Sequence, residues 1–439
     1  MNIVLLSGGS GKRLWPLSND VRSKQFIKIF KNEEGELESM VQRVYRQIKK
    51  VDGDANITIA TSKSQVSSIH NQLGNKVLVC VEPTRRDTFP AIALAAAFLK
   101  DVSGVSEDEA VIVCPVDPCV EDSYFECFAE LEKMVQSGDY NLNLMGVEPT
   151  YPSEKYGYIQ PTSKDHISEV SAFREKPDVE TAQKYIDDGA LWNCGVFAFR
   201  LGYILERAHE LIDFKDYQDL HDHYEDCNKI SFDYAVGEHE KSIGVVRYAG
   251  SWKDIGSWNT FAEEMHEKFI GKGEMDDTCE GSNIVNELDI PIIAMGLKNL
   301  VVAASNDGIL VSDKGRSSHI KPYVERVTDE IRYAEKSWGS FTVVDVQPGA
   351  HVIRVVLLPG HSLKYHSHER RDEVWTIISG EGTVILDDKK FDVKAGDVVQ
   401  MKIGQKHTVI AKTRLVINEV QLGDDITVED KIKYDMPEV

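Results

Sequence analysis

The first residues of the chain read as a buried strand that runs directly into a glycine-rich turn. Residues 3–6 are Ile, Val, Leu and Leu, and they are followed by Ser7-Gly8-Gly9-Ser10-Gly11-Lys12-Arg13. Glycine lets backbone amides approach a ligand closely, and successive N–H groups form a nest for anions. A Walker loop is excluded because Arg13 stands where Ser or Thr is needed, and a dinucleotide fingerprint is excluded by Leu14. The pattern predicts a phosphate-binding loop at the end of a sheet strand.

Up to about residue 262, short apolar runs alternate with helical stretches. The strand patterns cover residues 57–60, 77–80, 110–114 and 142–145, and the helical patterns cover residues 40–49 and 91–99. This alternation is typical of an α/β domain whose mostly parallel, Rossmann-like sheet is covered by helices and binds ligands at the strand carboxyl ends. Because 439 residues exceed one ordinary core, we assign residues 1–262 to this domain and expect more domains beyond it.

From about residue 336 the pattern becomes all β. Strand patterns come at hairpin spacing, with glycines between them, at residues 352–358, 374–378, 383–386, 398–401, 407–410 and 415–420. We therefore predict a small barrel or jelly roll over residues 336–439. Between the two domains, residues 263–335 are predicted to form a linker or short β module with strands at 290–295 and 300–304.

The composition restricts the partners that the chain can have. A formal net charge of −22 argues against binding to nucleic acid or to anionic membranes. The seven cysteines have no paired spacing, no signal-peptide pattern is present, and no apolar run reaches the length of a membrane span. We therefore expect a cytoplasmic protein. In so acidic a chain, anionic substrates need a local basic site, which Arg13, Lys24, Arg85, Arg86 and Lys176 could build.

Two aspartates follow strands in positions that suit a divalent cation. Asp117 follows the apolar residues 111–116, and Asp254 lies in the segment Ser251-Trp252-Lys253-Asp254. Mg²⁺ typically takes one or two protein carboxylates together with substrate phosphates and water. Asp117 and Asp254 are therefore the candidate Mg²⁺ ligands.

The glycine-rich turn continues into a longer string that resembles a known family. With Trp15-Pro16-Leu17-Ser18 and Lys24-Gln25-Phe26, it resembles the signature of sugar-1-phosphate nucleotidylyltransferases, specifically of the mannose-1-phosphate guanylyltransferases. Further blocks match the family in order. They are Glu82-Pro83-Thr84-Arg85-Arg86-Asp87-Thr88-Phe89-Pro90-Ala91, Tyr156-Gly157-Tyr158, Phe173-Arg174-Glu175-Lys176-Pro177 and Leu191-Trp192-Asn193-Cys194-Gly195-Val196-Phe197.

The resemblance implies Mg²⁺-dependent transfer of GMP from GTP to mannose 1-phosphate, which yields GDP-mannose and pyrophosphate. In that family's terms, Arg13 and Lys24 would clamp the triphosphate, Asp117 and Asp254 would hold Mg²⁺, and Lys176 would position mannose 1-phosphate. The implied nucleotide-binding residues are Ser7, Gly8, Gly9, Gly11, Glu82, Arg86 and Asp87, and the implied sugar-binding residues are Gly157, Glu175 and Asn193. No side-chain base is required, because a phosphate monoester oxygen is already anionic near neutral pH.

Departures from the family pattern leave alternatives open. Asp87 stands where the family usually has Asn, and Arg85 stands where it usually has Gly. A carboxylate at position 87 could accept from guanine N1–H and N2–H, or it could change the base preference. The alternatives are a nucleotidyltransferase for another nucleotide or sugar, and a catalytically silent nucleotide-sugar sensor. A homo-oligomer is compatible with the sequence.

A second set of residues fits the two cupin motifs. The first motif is matched by Gly360, His366, His368, Glu373 and Gly380, and the second by Gly396, Asp397, Gly404 and His407. We expect His366 and His368 on one strand face and Glu373 and His407 on neighbouring strands, as ligands for Zn²⁺, Mn²⁺, Fe²⁺ or Ni²⁺.

The order of the two domains resembles that of bifunctional enzymes that also isomerise mannose 6-phosphate and fructose 6-phosphate. Lys364 occupies the position of that family's Gln ligand, and residues 429–439 lack its terminal Tyr-Gly-Arg. Isomerase activity is therefore the alternative and not the main hypothesis.

Overall fold

The computed structural model describes residues 1–9, 12–19, 21–327, 331–427 and 429–437. The chain divides into two compact units. The first unit comprises residues 1–10, 23–66 and 76–266, and the second comprises residues 11–22, 67–75 and 267–439.

The first 266 residues alternate strands with helices. The strands are β1 (Asn2–Ser7), β2 (Lys28–Lys31), β3 (Leu37–Ser39), β4 (Asn56–Ser62), β5 (Leu78–Glu82), β6 (Ala110–Pro115), β7 (Pro118–Val120), β8 (Leu142–Val147), β9 (Tyr158–Pro161), β10 (Ile167–Arg174), β11 (Leu191–Arg200), β12 (Ile243–Tyr248) and β13 (Trp252–Asp254). The α-helices are α1 (Met40–Val51), α2 (Val66–Leu73), α3 (Thr88–Asp101), α4 (Asp122–Ser137), α5 (Val179–Asp187), α6 (Leu201–Leu211), α7 (Tyr217–Asp222) and α8 (Trp258–Glu263). All of these elements except α2 belong to the first unit.

A nine-stranded sheet forms the centre of the first unit, in the order β5-β4-β1-β6-β11-β8-β12-β10-β9. Strands β5, β4, β1 and β6 are parallel, as are β8 and β12. The remaining pairings, which involve β9, β10 and β11, are antiparallel. The predicted α/β class is confirmed, but the sheet is mixed and not mostly parallel, because β9, β10 and β11 pair with their neighbours in antiparallel orientation.

Helices cover both faces of this sheet. Helix α3 is apolar on all sides, and every residue from 89 to 99 is buried, because it lies between β1, β4 and β5 and the helices α6 and α7. On β1, Val4 belongs to the same core as α3, whereas the alternate residues Ile3 and Leu5 are buried on the opposite face. Helix α4 packs against β6, β8 and α1. Both faces of the sheet are therefore covered by helices. We expect ligands to bind at the ends of its strands and not on its faces.

The second unit contains a small β module followed by a two-sheet domain. Its elements are α2, β14 (Phe269–Gly271), β15 (Gly273–Met275), β16 (Asn283–Asn286), β17 (Ile292–Ala294), β18 (Leu300–Ser305), β19 (Gly308–Asp313), α9 (Lys321–Val327), β20 (Tyr333–Lys336), β21 (Gly339–Gln347), β22 (Ala350–Leu357), β23 (His366–Ser367), β24 (Asp372–Ser379), β25 (Glu381–Leu386), β26 (Lys389–Lys394), β27 (Val398–Met401), β28 (His407–Ala411), β29 (Leu415–Leu422) and β30 (Ile432–Lys433). In the module, β14, β16 and β18 are parallel and β19 closes the sheet in antiparallel pairing.

The all-β domain consists of two facing sheets. One is ordered β20-β21-β22-β29-β24-β27 and the other β26-β25-β28-β23-β30. Apolar residues from both sheets share one core, in which Leu357 and Trp375 of the first sheet and Val384 and Val409 of the second are buried. This is the double-sheet architecture that the hairpin spacing predicted. In the described part of the chain no helix has the length and apolarity that a membrane crossing needs.

Candidate active site and metal centre

The glycine-rich turn after β1 is held by a buried network of polar side chains. Ser23 Oγ donates to Gly9 O at 2.9 Å, and Gln65 Nε2 donates to Ser23 Oγ at 2.5 Å. Gln25 Nε2 donates to Ser7 Oγ at 3.1 Å. Gly9 has a φ of +106°, which glycine adopts at little cost. These contacts fix the backbone of the turn. Gln65 lies outside every motif of the sequence, so no pattern pointed to its role.

The other three residues predicted for this segment are Gly8, Gly11 and Arg13. Gly8 has open space around it, so its backbone is accessible. Gly11 lies outside the described residues. Arg13 lies in the 3₁₀ turn Lys12–Leu14, which belongs to the second unit, and its side chain is exposed.

The two predicted metal carboxylates lie side by side. Strand β7 pairs with β13, with Asp254 opposite Pro118, and this pairing brings Asp254 next to Asp117. Lys24 Nζ lies 2.6 Å from Asp117 Oδ2 and 3.8 Å from Asp254 Oδ1. It also donates to Ile255 O at 3.0 Å. About a third of each carboxylate is exposed, so the oxygens can be reached by a ligand.

Glu82 and Asp87 flank the beginning of α3. Glu82 is buried at the end of β5, where it accepts from Tyr224 Oη at 3.0 Å, and burial raises the pKa of this carboxyl. Asp87 has a φ of +72° and caps α3, since its Oδ1 accepts from Thr88 N at 2.8 Å. Its side chain is exposed, whereas Arg86 is half-buried and its guanidinium donates to Glu225 O. The parallel strands β1, β5 and β6 bring Glu82, the glycine-rich turn and Asp117 to one edge of the sheet.

The predicted sugar-binding residues converge around Gly157. A Cβ at Gly157 would lie 2.5 Å from Glu175 Oε2 and 3.3 Å from Asn193 Cβ, so a larger residue here would force the Glu175 carboxylate to move. The Glu175 carboxylate is 6% exposed and forms an ion pair with Lys176 Nζ, which is half exposed. Lys176 itself has a φ of +48°. A left-handed backbone is uncommon for lysine, and such conformations concentrate at ligand-binding sites.

Four aromatic side chains lie near both the turn at Gly157 and the strand that carries Asp254. The Tyr156 ring centroid lies 5.0 Å from that of Trp192 and 5.3 Å from that of Trp252, and Tyr151 packs on Trp192 at 5.1 Å. Burial, and then the charge of Asp254, raise the pKa of Tyr156. Tyr156 precedes Gly157 and Trp252 lies two residues before Asp254, so this cluster links the turn at Gly157 to the strand that carries Asp254.

The four predicted cupin ligands are buried and adjacent. One ligand atom from each of His366, His368, Glu373 and His407 lies within 4.8 Å of the others, and each residue is at most 2% exposed. Their origin differs from our expectation. Strands β23 and β28 pair His366 with His407 in one sheet, but Glu373 comes from β24 of the facing sheet. The cluster therefore joins the two sheets. Residue spacing could place ligands on strands but could not assign the strands to sheets.

Hydrogen bonds orient the three imidazoles. His366 Nδ1 lies 2.6 Å from Lys364 O and His407 Nδ1 lies 2.9 Å from Gln405 O, while His368 Nδ1 contacts Asp430 O. A carbonyl can only accept, so each Nδ1 carries the proton and each Nε2 keeps its lone pair. Burial lowers the pKa of His366 to about 2 and keeps its ring neutral. Neutral imidazoles with free Nε2 atoms are metal ligands.

The distances around Glu373 also suit a metal. His368 Nε2 is 2.9 Å from Glu373 Oε1, and His407 Nε2 is 3.3 Å from Oε2. Two ligand atoms about 2.1 Å from one ion, at a right angle to each other, lie roughly 3.0 Å apart. Burial opposes ionisation of Glu373, but the adjacent side chains of His368 and His407 hold its pKa well below the ordinary range. Sequence reasoning missed Arg371 and Trp375, whose Nε and Nε1 each donate to this carboxylate at 3.2 Å.

Comparison with known proteins matches the two families that the sequence resembles. Residues 2–269 match the nucleotidyl transferase family and residues 353–417 match the cupin domain. The chain is 28% identical to the mannose-1-phosphate guanylyltransferase of Klebsiella pneumoniae over an alignment of 472 positions, gaps included, which covers 98% of each protein. It is also 28% identical to the xanthan biosynthesis protein XanB of Xanthomonas campestris pv. campestris (strain B100), over 98% of this chain and 97% of that one.

The crystal structure of a Thermus thermophilus protein described as a mannose-1-phosphate geranyltransferase superposes with a TM-score of 0.62. The two sequences are 26% identical, and the match covers 74% of this chain and 98% of that one. The α/β and cupin predictions are thereby confirmed. Since the match to the family model covers more than half of its length, the chain belongs to the nucleotidyl transferase family and carries a cupin domain behind the transferase domain.

Proposed function

We propose that the chain transfers GMP from GTP to mannose 1-phosphate and releases GDP-mannose and pyrophosphate. The observation that carries this proposal is the juxtaposition of Lys24, Asp117 and Asp254 at the sheet edge where β1 enters its glycine-rich turn. Full-length similarity to proteins named for this activity supports the choice of nucleotide and sugar.

The nucleotide side of the site would bind a triphosphate and a base. In this proposal the backbone of Ser7, Gly8 and Gly9 receives phosphate oxygens, and Gly11 and Arg13 stay predicted contacts of the triphosphate. Lys24 would neutralise charge on the leaving pyrophosphate, because its ammonium group lies beside Asp117, which follows β6, the strand paired with β1. Glu82, Arg86 and Asp87, which lie at and after the end of β5, would contact the base and ribose.

Mg²⁺ fits the donor set formed by Asp117 and Asp254. Both contribute carboxylate oxygens, which this hard cation prefers, and both are accessible from solvent. When bound, Mg²⁺ would neutralise phosphate charge and polarise the α-phosphoryl group. The protein's own part is to hold the two carboxylates through the β7–β13 pairing and to keep Lys24 close to them.

The sugar side of the site would orient the nucleophile. Lys176 would bind the phosphate of mannose 1-phosphate. Glu175 and Asn193 would form hydrogen bonds with the ring hydroxyls of the sugar next to Gly157. The attacking phosphate oxygen is anionic near neutral pH, so the residues need only to align it with the α-phosphorus and not to remove a proton. Catalysis by positioning and electrostatics is typical of transfer between phosphates.

The deciding experiment is pyrophosphate release with Mg²⁺, in which GTP, ATP, CTP, UTP and dTTP are each combined with mannose 1-phosphate and glucose 1-phosphate. We expect a strong preference for GTP with mannose 1-phosphate, and we expect Asp117→Asn to abolish turnover. Asp165→Asn, on an exposed loop, is the matched control and should retain full activity. Release with another pair would overturn the specificity, and silence across the panel would favour the sensor hypothesis.

For the cupin domain we propose a bound transition metal held by His366, His368, Glu373 and His407, with Zn²⁺, Mn²⁺, Fe²⁺ and Ni²⁺ as candidates. The double variant His366→Ala/His368→Ala should lose the metal that the wild-type protein contains, as measured by elemental analysis. Equal metal content would mean that these histidines are structural. We do not extend the proposal to isomerisation, since the exposed Lys364 replaces the family's Gln ligand.

Three further predictions from the sequence stay predictions. We propose domain boundaries at residues 262 and 335, which limited proteolysis would test. Light scattering on the purified protein would test for a homo-oligomer, and fractionation of the source cells would test the cytoplasmic location.

A further inference from the structure

A π-helical segment, Asp233–Gly237, lies beside the proposed sugar site and had no role in the sequence analysis. It delivers Asp233 to Asn193 of β11, whose Nδ2 donates to Asp233 Oδ1 at 2.7 Å. It is followed by Glu238, whose Oε1 accepts from Glu175 N at 3.1 Å. π-Turns are rare and frequently mark functional sites. This one contacts both of the segments that carry the proposed sugar-binding side chains.

Hydrogen bonds fix the orientation of Asn193 and Asp233. Asn193 Oδ1 accepts from Gly195 N at 3.0 Å, so its amide group cannot flip without losing this bond. Its NH₂ group must then face Asp233, and no other side chain of the described residues hydrogen bonds to the Asp233 carboxylate. Asp233 is partly exposed, so a ligand can reach it. The carboxylate is therefore aligned on one side by the protein and is left with capacity to accept on the other.

The charges around Asp233 indicate which ligand it can accept. Burial, and then the neighbouring Glu175 carboxylate, raise the pKa of Asp233 to about 6, with Lys176 acting in the opposite direction. The carboxylates of Glu175 and Asp233 share one neighbouring cation, the Lys176 ammonium group. The binding of an anionic ligand group at Asp233 is therefore unfavourable. A neutral hydroxyl donor suits the position, because it supplies a proton without adding charge. A sugar ring presents such hydroxyls, and its phosphate would lie on the side of Lys176.

We propose that Asp233 is a specificity-determining residue that accepts a hydrogen bond from one ring hydroxyl of the sugar phosphate, with Asn193 holding the carboxylate in place. This inference rests on the proposed function. Glu175 and Asp233 then form two acceptors near Asn193. Two fixed acceptors can distinguish sugars that differ in the orientation of a single hydroxyl, since the wrong epimer leaves one buried acceptor without its donor.

The test pairs Asp233→Asn with a series of mannose 1-phosphates, each lacking one hydroxyl group. Hydrogen bonds to a charged acceptor support an expected loss of about 10- to 100-fold in kcat/KM for mannose 1-phosphate, with KM for GTP unchanged. In the wild type, one deoxy analogue should show a comparable penalty. In Asp233→Asn the penalty at that same hydroxyl should disappear, while the penalties at the others persist. Asp187→Asn, on the exposed surface of α5, is the matched control and should leave all penalties intact.

The outcomes separate this inference from the proposed function. If the wild-type protein uses no sugar 1-phosphate with any nucleotide, the proposed function fails. If the wild type is active but no deoxy analogue is penalised, or if Asp233→Asn keeps every penalty, only the role of Asp233 is overturned. The wild-type analogue series does not depend on the folding of any variant, so a poorly folded Asp233→Asn still leaves a decisive measurement.

Discussion

Asp233→Asn should stabilise the first unit at neutral pH. The pKa of Asp233 rises from its ordinary value of 3.8 to about 6, so the folded protein is less stable with this carboxyl group ionised than it would be with the group protonated. Asparagine imitates the protonated form, because its side-chain oxygen can still accept from Asn193. The substitution removes the cost of the buried charge and keeps the hydrogen bond.

The expected gain in the free energy of unfolding follows from the pKa shift of Asp233. One pKa unit corresponds to about 1.4 kcal/mol, so a shift of roughly two units costs about 3 kcal/mol, reduced to ~1–3 kcal/mol by the partial exposure of the carboxylate. Between pH ~4 and pH ~6 the native state binds more protons than the unfolded state, because Asp233 has the higher pKa in the native state. The stability that protonated Asp233 contributes is therefore fully present below pH ~4 and is lost as the pH rises through ~6. The variant should therefore gain stability above pH 6 and match the wild type near pH 4.

Calorimetry at pH 4.5 and pH 7.5 measures the effect as a difference in Tm. For a unit of this size the gain corresponds to roughly 2–10 °C at the higher pH. Hydrogen exchange of peptides from β11 assigns the transition to the first unit, which is necessary because the chain has two units. A variant that is less stable than the wild type at pH 7.5, or that is equally stabilised at both pH values, would refute the electrostatic argument.

Three other changes test the site directly. Gly157→Ala places a Cβ 2.5 Å from Glu175 Oε2 and should raise KM for mannose 1-phosphate by about 10-fold or more without changing KM for GTP; an unchanged KM would contradict the contact. Gln65→Met removes buried hydrogen bonds to Ser23 and Gly9. It should lower the free energy of unfolding by about 1–3 kcal/mol, as measured by denaturant titration, and raise KM for GTP, as measured by steady-state kinetics. Removal of cupin metal by a chelator should lower the Tm of the cupin transition, and restored metal should recover it; a Tm indifferent to metal would mean that the cluster contributes no binding energy to folding.

Sequence alone predicted the elements of the transferase domain that carry short-range signals. The strand before Gly8 and the aspartate after β6 are local patterns, since a strand period and a glycine-rich turn are written in neighbouring residues. The same holds for the beginning of α1 at Met40, where Ser39 and Gln42 form a capping box.

Long-range pairing was not predictable in the same way. The antiparallel return of β11 into the sheet, and the placement of Glu373 opposite the cupin histidines, depend on which strands pair, and side-chain periodicity does not encode this choice. Gln65 and Asp233 were missed for a related reason. Each acts through one or two specific hydrogen bonds to residues distant in sequence, and a single polar residue has no pattern.

The pairing of β7 with β13 has a consequence for synthesis of the protein. Asp117 leaves the ribosome long before Asp254, and the two carboxylates become neighbours only when Trp252–Asp254 has paired with Pro118–Val120. A nascent chain that ends before residue 252 already contains the glycine-rich turn, Lys24 and the proposed sugar-binding residues, yet it has only one of the two carboxylates. In our proposal such a chain lacks one of the two Mg²⁺ ligands. The proposed site is then complete only after β13 has been synthesised and has paired with β7.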